Sequence, residues 1–192
     1  RHLGSDGAIE EAYRLAREYP DKYFLTDQYN NEANWKAHYH TTGPEIMAQT
    51  NGQVDAVVAT VGTSGTLMGL SRYFKDQGHR ARVICAEPYL GHGIQGLKNM
   101  KESYTPEIFE KTRLDESVHI DDETAFETAR QLAAKEGLFV GMSSGAAMAV
   151  ALEHAKSIQN GVIVVIFPDS GERYLSTELF SVKKNIHLTV YN

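Results

Sequence analysis

One cysteine stands in 192 residues, so no internal disulfide can form. Cys85 sits in the apolar run Val83, Ile84, Cys85, Ala86 with nothing nearby to lower its pKa, and it reads as a small buried side chain rather than a catalytic thiol. No apolar run approaches the roughly 20 residues that span a bilayer. No charged-then-apolar leader precedes the first helix either, so the expectation is a soluble, cytoplasmic protein without a membrane partner. The net charge is −6 and the Lys and Arg residues are scattered, which leaves no basic face for nucleic acid. Repeats and low-complexity tracts are absent. His38 and His40 alternate near Trp35 and Tyr39, but no Cys or carboxylate arrangement completes a metal site, and both read as solvated or core-edge histidines. An initiator methionine is also missing: the chain opens at Arg1 and its first element is already a helix, which leads us to expect part of a longer polypeptide.

What is present is ordinary in bulk, 42% hydrophobic and 23% charged, enough for one well-buried core and short for two complete domains. The stretch Asp55 to Gly69, DAVVATVGTSGTLMG, organises the rest. Ala56 to Val61 is a short continuous apolar run rich in β-branched residues, the pattern of a parallel strand buried on both faces. Gly62-Thr63-Ser64-Gly65-Thr66 follows, and Leu67, Met68, Leu70, Tyr73 and Phe74 then recur at helical spacing up to Gln77-Gly78. Small residues let the backbone approach a ligand, three hydroxyls flank them, and the free N–H groups of the helix start point into the same space. This loop suits an anion, most simply a phosphate. It is not a Walker loop, because no lysine follows Gly65, and Ser64 occupies the third position where a dinucleotide fingerprint needs glycine. Glu87, at the end of the next strand, imitates the ribose-binding acid of that fingerprint, so the nicotinamide reading is weakened without being removed.

Along the chain, Gly7 to Tyr19 is an amphipathic helix with Ile9, Ala12, Tyr13 and Ala16 on one side, Ser5 or Asp6 as its cap and Pro20 as its stop. Lys22 to Thr26 reads as a short strand and Asp27 to Ala33 as a polar loop. Within His38 to Gln49, Thr41-Thr42-Gly43-Pro44-Glu45 announces a helix. Strands are expected over Arg80 to Glu87, Ser117 to Ile120, Leu138 to Val140 and Gly161 to Phe167. Tyr89 to Arg113 is long and glycine-punctuated, with Pro106 ahead of a short helix, and His92 in it is a candidate for the substrate entrance. Asp121 or Asp122 caps a helix from Glu123 to Glu136 that ends at Gly137, and Gly141-Met142-Ser143-Ser144-Gly145 is a second small-residue loop opening a helix from Ala146 to Ile158. Both loops and Pro168-Asp169-Ser170-Gly171 fall where a parallel α/β sheet places its ligands.

Four ordered motifs carry a resemblance: AHYHTTGPEI at Ala37 to Ile46, GTSGT at Gly62 to Thr66, GMSSGAA at Gly141 to Ala147 and PDSGERYLST at Pro168 to Thr177. Together they resemble the cysteine synthase and cystathionine β-synthase family of fold type II pyridoxal-phosphate enzymes. The resemblance implies a three-layer α/β sandwich with a mostly parallel sheet, in which residues 1–26 are a remnant of a smaller N-terminal domain and residues 27–192 the larger cofactor-binding domain.

It further implies that Gly62, Thr63, Gly65 and Thr66 hold the phosphate of pyridoxal 5'-phosphate, with Ser64 in place of the usual glycine at little cost. Ser143 would bond the pyridine nitrogen through a neutral hydroxyl, which suits β-elimination and replacement. Asp169 would lie near the pyridine edge, although by position alone it is equally a turn residue capping the next helix. Gln28, in a segment similar to the family's QFENPAN, would contact the substrate carboxylate, and Gly96 of Ile94-Gln95-Gly96 would allow its close approach. No lysine here matches the context of the family's Schiff-base lysine, so the resemblance covers a C-terminal part only and no catalytic residue is assigned in this chain.

The implied activity is β-replacement on O-acetylserine or O-phosphoserine by sulfide to give cysteine. The alternatives are the cystathionine β-synthase reaction of serine with homocysteine, and a non-catalytic fragment that binds cofactor or a partner. Implied partners are the N-terminal half of the same enzyme, a second copy in a homodimer, and a serine acetyltransferase tail.

Overall fold

The computed structural model describes residues 4–101 and 104–181. Four parallel strands form one sheet in the order β3-β2-β1-β4: β1 is Ala56–Thr60, β2 Arg82–Pro88, β3 Glu116–Ile120 and β4 Ile163–Val165. Val58 is the register partner of both Ile84 and Val165, and Cys85 lies opposite Ser117. Because side chains alternate across a strand, β1 feeds two separate cores. Ala56 and Val58 face a cluster with Ala146, Ala147 and Val150, while Val57 and Ala59 face Leu67, Leu70 and Phe74. The expected three layers follow directly from this. Leu70 is fully buried, and cutting it to alanine would cost about 2–5 kcal/mol.

One outer layer holds α2 (Ala33–His40), α3 (Thr42–Gln49) and α4 (Gly65–Asp76). A Cβ at Gly69 would lie 2.5 Å from the Trp35 carbonyl oxygen, so glycine is what lets α2 cross α4 closely. On the other face are α5 (Asp122–Gln131) and α6 (Met142–Ala155), and a Cβ at Gly145 would collide with the Ala125 carbonyl. Asp121 caps α5, accepting from Thr124 N at 2.9 Å, and the chain continues through a π turn, Leu132–Glu136, to Gly137 at φ 69°. That left-handed residue ends the helix as the sequence led us to expect.

Several boundaries differ from the sequence reading. Lys22 to Thr26 is irregular, because no strand among the described residues pairs with it, and Phe24 is 90% exposed. The helix α1 (Gly4–Glu18) starts ahead of Asp6, whose carboxylate pairs with Lys98 Nζ at 2.8 Å instead of serving as the cap. The side chain of Ser5 and residues 182–192 lie outside the described residues.

Ala33–His40 is a helix that the polar composition hid, since none of its residues is buried; Asn31 Oδ1 starts it by accepting from Ala33 N at 2.9 Å. Leu138 to Val140 contributes only an isolated antiparallel bridge from Val140 to Ser170. The expected strand over 161–167 pairs only at Ile163–Val165, and the segment after Pro106 forms a turn followed by a 3-10 helix, Lys111–Arg113. The second small-residue loop is itself the first turn of α6, which starts at Met142 rather than Ala146.

Candidate functional site

The loop between β1 and α4 is held from two sides. From the sheet side, Lys98 N donates to Val61 O at 2.9 Å, and a Cβ at Gly62 would lie 2.8 Å from Gly96 O, so the loop bearing Gly96 rests directly on Gly62. Glu87 fixes that loop in turn, since this buried carboxylate accepts from Met100 N at 2.7 Å and from Ser117 Oγ at 2.9 Å. Structural pinning thus replaces the ribose-binding role that its position suggested.

From the helix side, α2 supplies two residues that the sequence left unassigned. Asn34 Nδ2 donates to Thr63 Oγ1 at 3.0 Å, and His38 Nε2 lies 3.2 Å from Thr66 Oγ1 while its Nδ1 lies 3.0 Å from Thr42 Oγ1. Burial holds the His38 pKa below the ordinary imidazole value, so the ring between these two hydroxyls is neutral near pH 7. The sequence signals were Asn34's place at the end of the segment similar to QFENPAN and His38's place within AHYHTTGPEI.

Ser64 adopts the left-handed conformation, φ 70°, and is 3% exposed. Its Oγ has no hydrogen-bond partner among the described residues. The first turn of α4 carries no acidic residue. An unpartnered hydroxyl, the N–H groups of a helix start and the absence of a carboxylate fit an anion such as the phosphate of pyridoxal phosphate.

Across the C-terminal ends of the strands stands the start of α6. Ser143 is buried, its Oγ donates to Gln95 O at 3.3 Å, and a Cβ at Gly96, φ 86°, would lie 3.8 Å from the Ser143 Oγ. Gly62, Gly96 and Ser143 are therefore brought together although they lie far apart in sequence. The carboxylate of Asp169 accepts from Ser143 N at 3.0 Å, Ser144 N at 2.9 Å, Ser144 Oγ at 2.5 Å and Tyr174 Oη at 2.9 Å. It caps α6, the helix that precedes it in the chain. Burial first, and Asp169 second, push the Tyr174 phenol up to about 12, which keeps it a donor.

Gln28 has an exposed side chain in a pocket beneath α1, beside Tyr13 and Tyr29. Its carbonyl accepts from Asn34 Nδ2 at 2.6 Å, which ties it to the Thr63 loop through one amide. His92 is half-buried ahead of Gly93, and His40 is exposed. No metal-binding cluster occurs among the described residues, and none of their helices is long and apolar enough to cross a membrane.

Comparison with known proteins identifies relatives of this chain. A cysteine synthase from Aquifex aeolicus is 49% identical over 185 residues, covering 94% of this chain and 57% of that protein. Among solved structures, cysteine synthase from Entamoeba histolytica superposes with a TM-score of 0.86 at 38% identity, over 95% of this chain and 56% of that one. An O-acetylserine dependent cystathionine β-synthase from Helicobacter pylori gives 0.84 at 37% identity, over 94% and 61%. The chain thus spans less than two thirds of the length of these relatives. These are enzymes of fold type II, whose cofactor is pyridoxal phosphate. The profile of the pyridoxal-phosphate dependent enzymes matches residues 2–169, and the chain belongs to that family.

Proposed function

We propose that the protein containing this chain carries out β-replacement on an activated serine, O-acetylserine or O-phosphoserine, with sulfide as the acceptor and cysteine as the product. The observation that carries the proposal is the convergence of the Gly62–Thr66 loop, Gly96 and the buried Ser143 hydroxyl at one end of the sheet. Relatives named cysteine synthase support the same reaction. Bound pyridoxal phosphate would supply the electron sink that lets a β-substituent leave an amino acid.

This chain's residues bind and orient. The N–H groups and hydroxyls of Gly62, Thr63, Ser64, Gly65 and Thr66 hold the phosphate, with Asn34 and His38 fixing two of those hydroxyls. Ser143 offers the pyridine nitrogen a neutral hydroxyl, so the ring is not held protonated as a carboxylate would hold it. Gln28 takes the substrate carboxylate, and Gly96 leaves room for it. The Schiff-base lysine comes from polypeptide outside this chain, where the smaller domain to which residues 1–26 belong is completed. A cytoplasmic homodimer that also accepts a serine acetyltransferase tail belongs to the same reading.

The second reading is cystathionine formation with homocysteine as acceptor, favoured by the likeness to the Helicobacter pylori enzyme. An assay of the full polypeptide with cofactor separates the readings: O-acetylserine, O-phosphoserine and serine are each offered with sulfide and with homocysteine. Cysteine from an activated serine and sulfide is the expected product. Bound cofactor without β-replacement by any pair would leave a cofactor- or partner-binding module and overturn the proposal.

A further inference from the structure

Two helix starts face the site, and the residues around them are alike: GTSGT opens α4 and GMSSG opens α6. Each offers small residues, hydroxyls and the N–H groups that a helix leaves without carbonyl partners, so each is on those grounds an anion site. The structure makes them unequal. At α4 the first turn holds no acid, and the buried Ser64 hydroxyl lacks a partner among the described residues. At α6 the N–H groups of Ser143 and Ser144 are both taken by Asp169, whose two oxygens receive two donors each, from Ser144 N and Oγ and from Ser143 N and Tyr174 Oη.

The approach depends on glycine at 141, because a Cβ there would run into the Tyr174 ring and the Asp169 carboxylate. Asp169 itself is held in place by its backbone, which accepts from Gly141 N at 3.1 Å. The cap has two consequences. A fixed negative charge cancels the positive end of α6 and repels a second anion. It also leaves the Ser143 hydroxyl out of capping duty, with only the long 3.3 Å bond to Gln95 O to exchange for a ring nitrogen.

We infer that Asp169 is a positioning residue that closes the start of α6 to anions, so that the cofactor's phosphate has one helix start to bind and its ring falls against Ser143. The inference rests on the reading of the site given above.

The test uses inorganic phosphate as the probe on cofactor-free protein, and the absorbance spectrum of the cofactor-loaded protein. Asp169→Ser is the first variant, because serine still caps a helix while removing the charge. Unaltered protein is expected to bind one equivalent of phosphate. Asp169→Ser should bind a second, about tenfold more tightly than any second equivalent in the unaltered protein, and its cofactor band should shift. Asp169→Asn, near-isosteric, should do the same and serves if the serine variant is unfolded by circular dichroism. Tyr174→Phe removes a donor and keeps the charge, so it should bind one equivalent only. A folded Asp169→Ser or Asp169→Asn with one equivalent and an unshifted band would overturn the inference, as would a second equivalent in Tyr174→Phe. Absence of any phosphate binding by the unaltered protein would instead overturn the site reading itself.

Discussion

The Asn34 side chain occupies the space that any side chain at Gly65 would need, with its Oδ1 1.8 Å from where a Cβ would stand and its Nδ2 bridging Thr63 Oγ1 and the Gln28 carbonyl. Glycine at 65 is therefore what makes room for this amide. Gly65→Ala should displace Asn34 and destabilise the protein by about 1–3 kcal/mol, with loss of cofactor affinity. Asn34→Ala alone should also destabilise it, by stranding its partners, yet the double variant should fall short of the sum by at least about 0.5 kcal/mol. Urea denaturation of all four proteins checks this, and strict additivity would show that the two positions do not interact.

Ser64→Gly should stabilise the cofactor-free protein. A non-glycine residue at φ 70° costs about 1–2 kcal/mol. Glycine's greater freedom in the unfolded chain returns about 0.5–1 kcal/mol of that, leaving a net gain of about 0–1.5 kcal/mol. Thermal denaturation without cofactor measures it. A lower melting temperature would mean that the Ser64 hydroxyl makes a bond that outweighs its strain.

Ser143→Ala should leave the cofactor bound, weakened by about 1 kcal/mol for one hydrogen bond, while turnover of the intact enzyme falls sharply. Spectroscopic titration beside a rate assay separates the two effects. Equal loss of cofactor in Ser143→Ala and Gly65→Ala would place the ring elsewhere.

Cys85 should be inert. Burial first, and the nearby Glu87 second, push its thiol up to about 12, and only 1% of the residue is exposed. A thiol reagent at pH 8 should label the native protein only as fast as it unfolds, and stoichiometric within minutes once denatured. Rapid labelling of folded protein would show an opening at β2.

The cap of α5 carries a pH dependence. Hydrogen bonds from the Thr124 backbone N–H, then from its hydroxyl, hold the Asp121 carboxyl below the usual carboxylate range. A lowered folded-state pKa contributes stability that is complete above the unfolded value and lost as pH falls through the folded one. Asp121→Ala should cost about 1 kcal/mol at neutral pH, the usual worth of an N-cap. That difference should shrink in strong acid, where the Asp121 oxygen can still accept from Thr124 N but no longer carries a charge. Denaturation midpoints at pH 7 and below pH 3 give the comparison, and a penalty unchanged in acid would rule out the charged cap.

Much of this protein is written locally. The β-branched run Ala56 to Val61 marks β1, Gly137 the stop of the α5 segment, and the GTSGT and GMSSG motifs two loops that the sheet brings to one end. Strand pattern and turn chemistry are short-range properties, and these elements kept them. Lys22 to Thr26 has strand-forming residues and no partner strand among the described residues, so its propensity went unused, whereas Ala33–His40 has little amphipathic pattern and is helical because it packs across Gly69. Asn34 and His38 reached the Gly62–Thr66 loop only through that packing. Asp169 was legible as a capping residue, but not as the cap of α6, because Val140 and Ser170 must first pair to bring it back against Ser143. Sequence fixes which residue types can hold an anion or end a helix; which helix start stays open and which is closed by a carboxylate is decided by contacts between segments far apart in the chain, and those exist only once the sheet has formed.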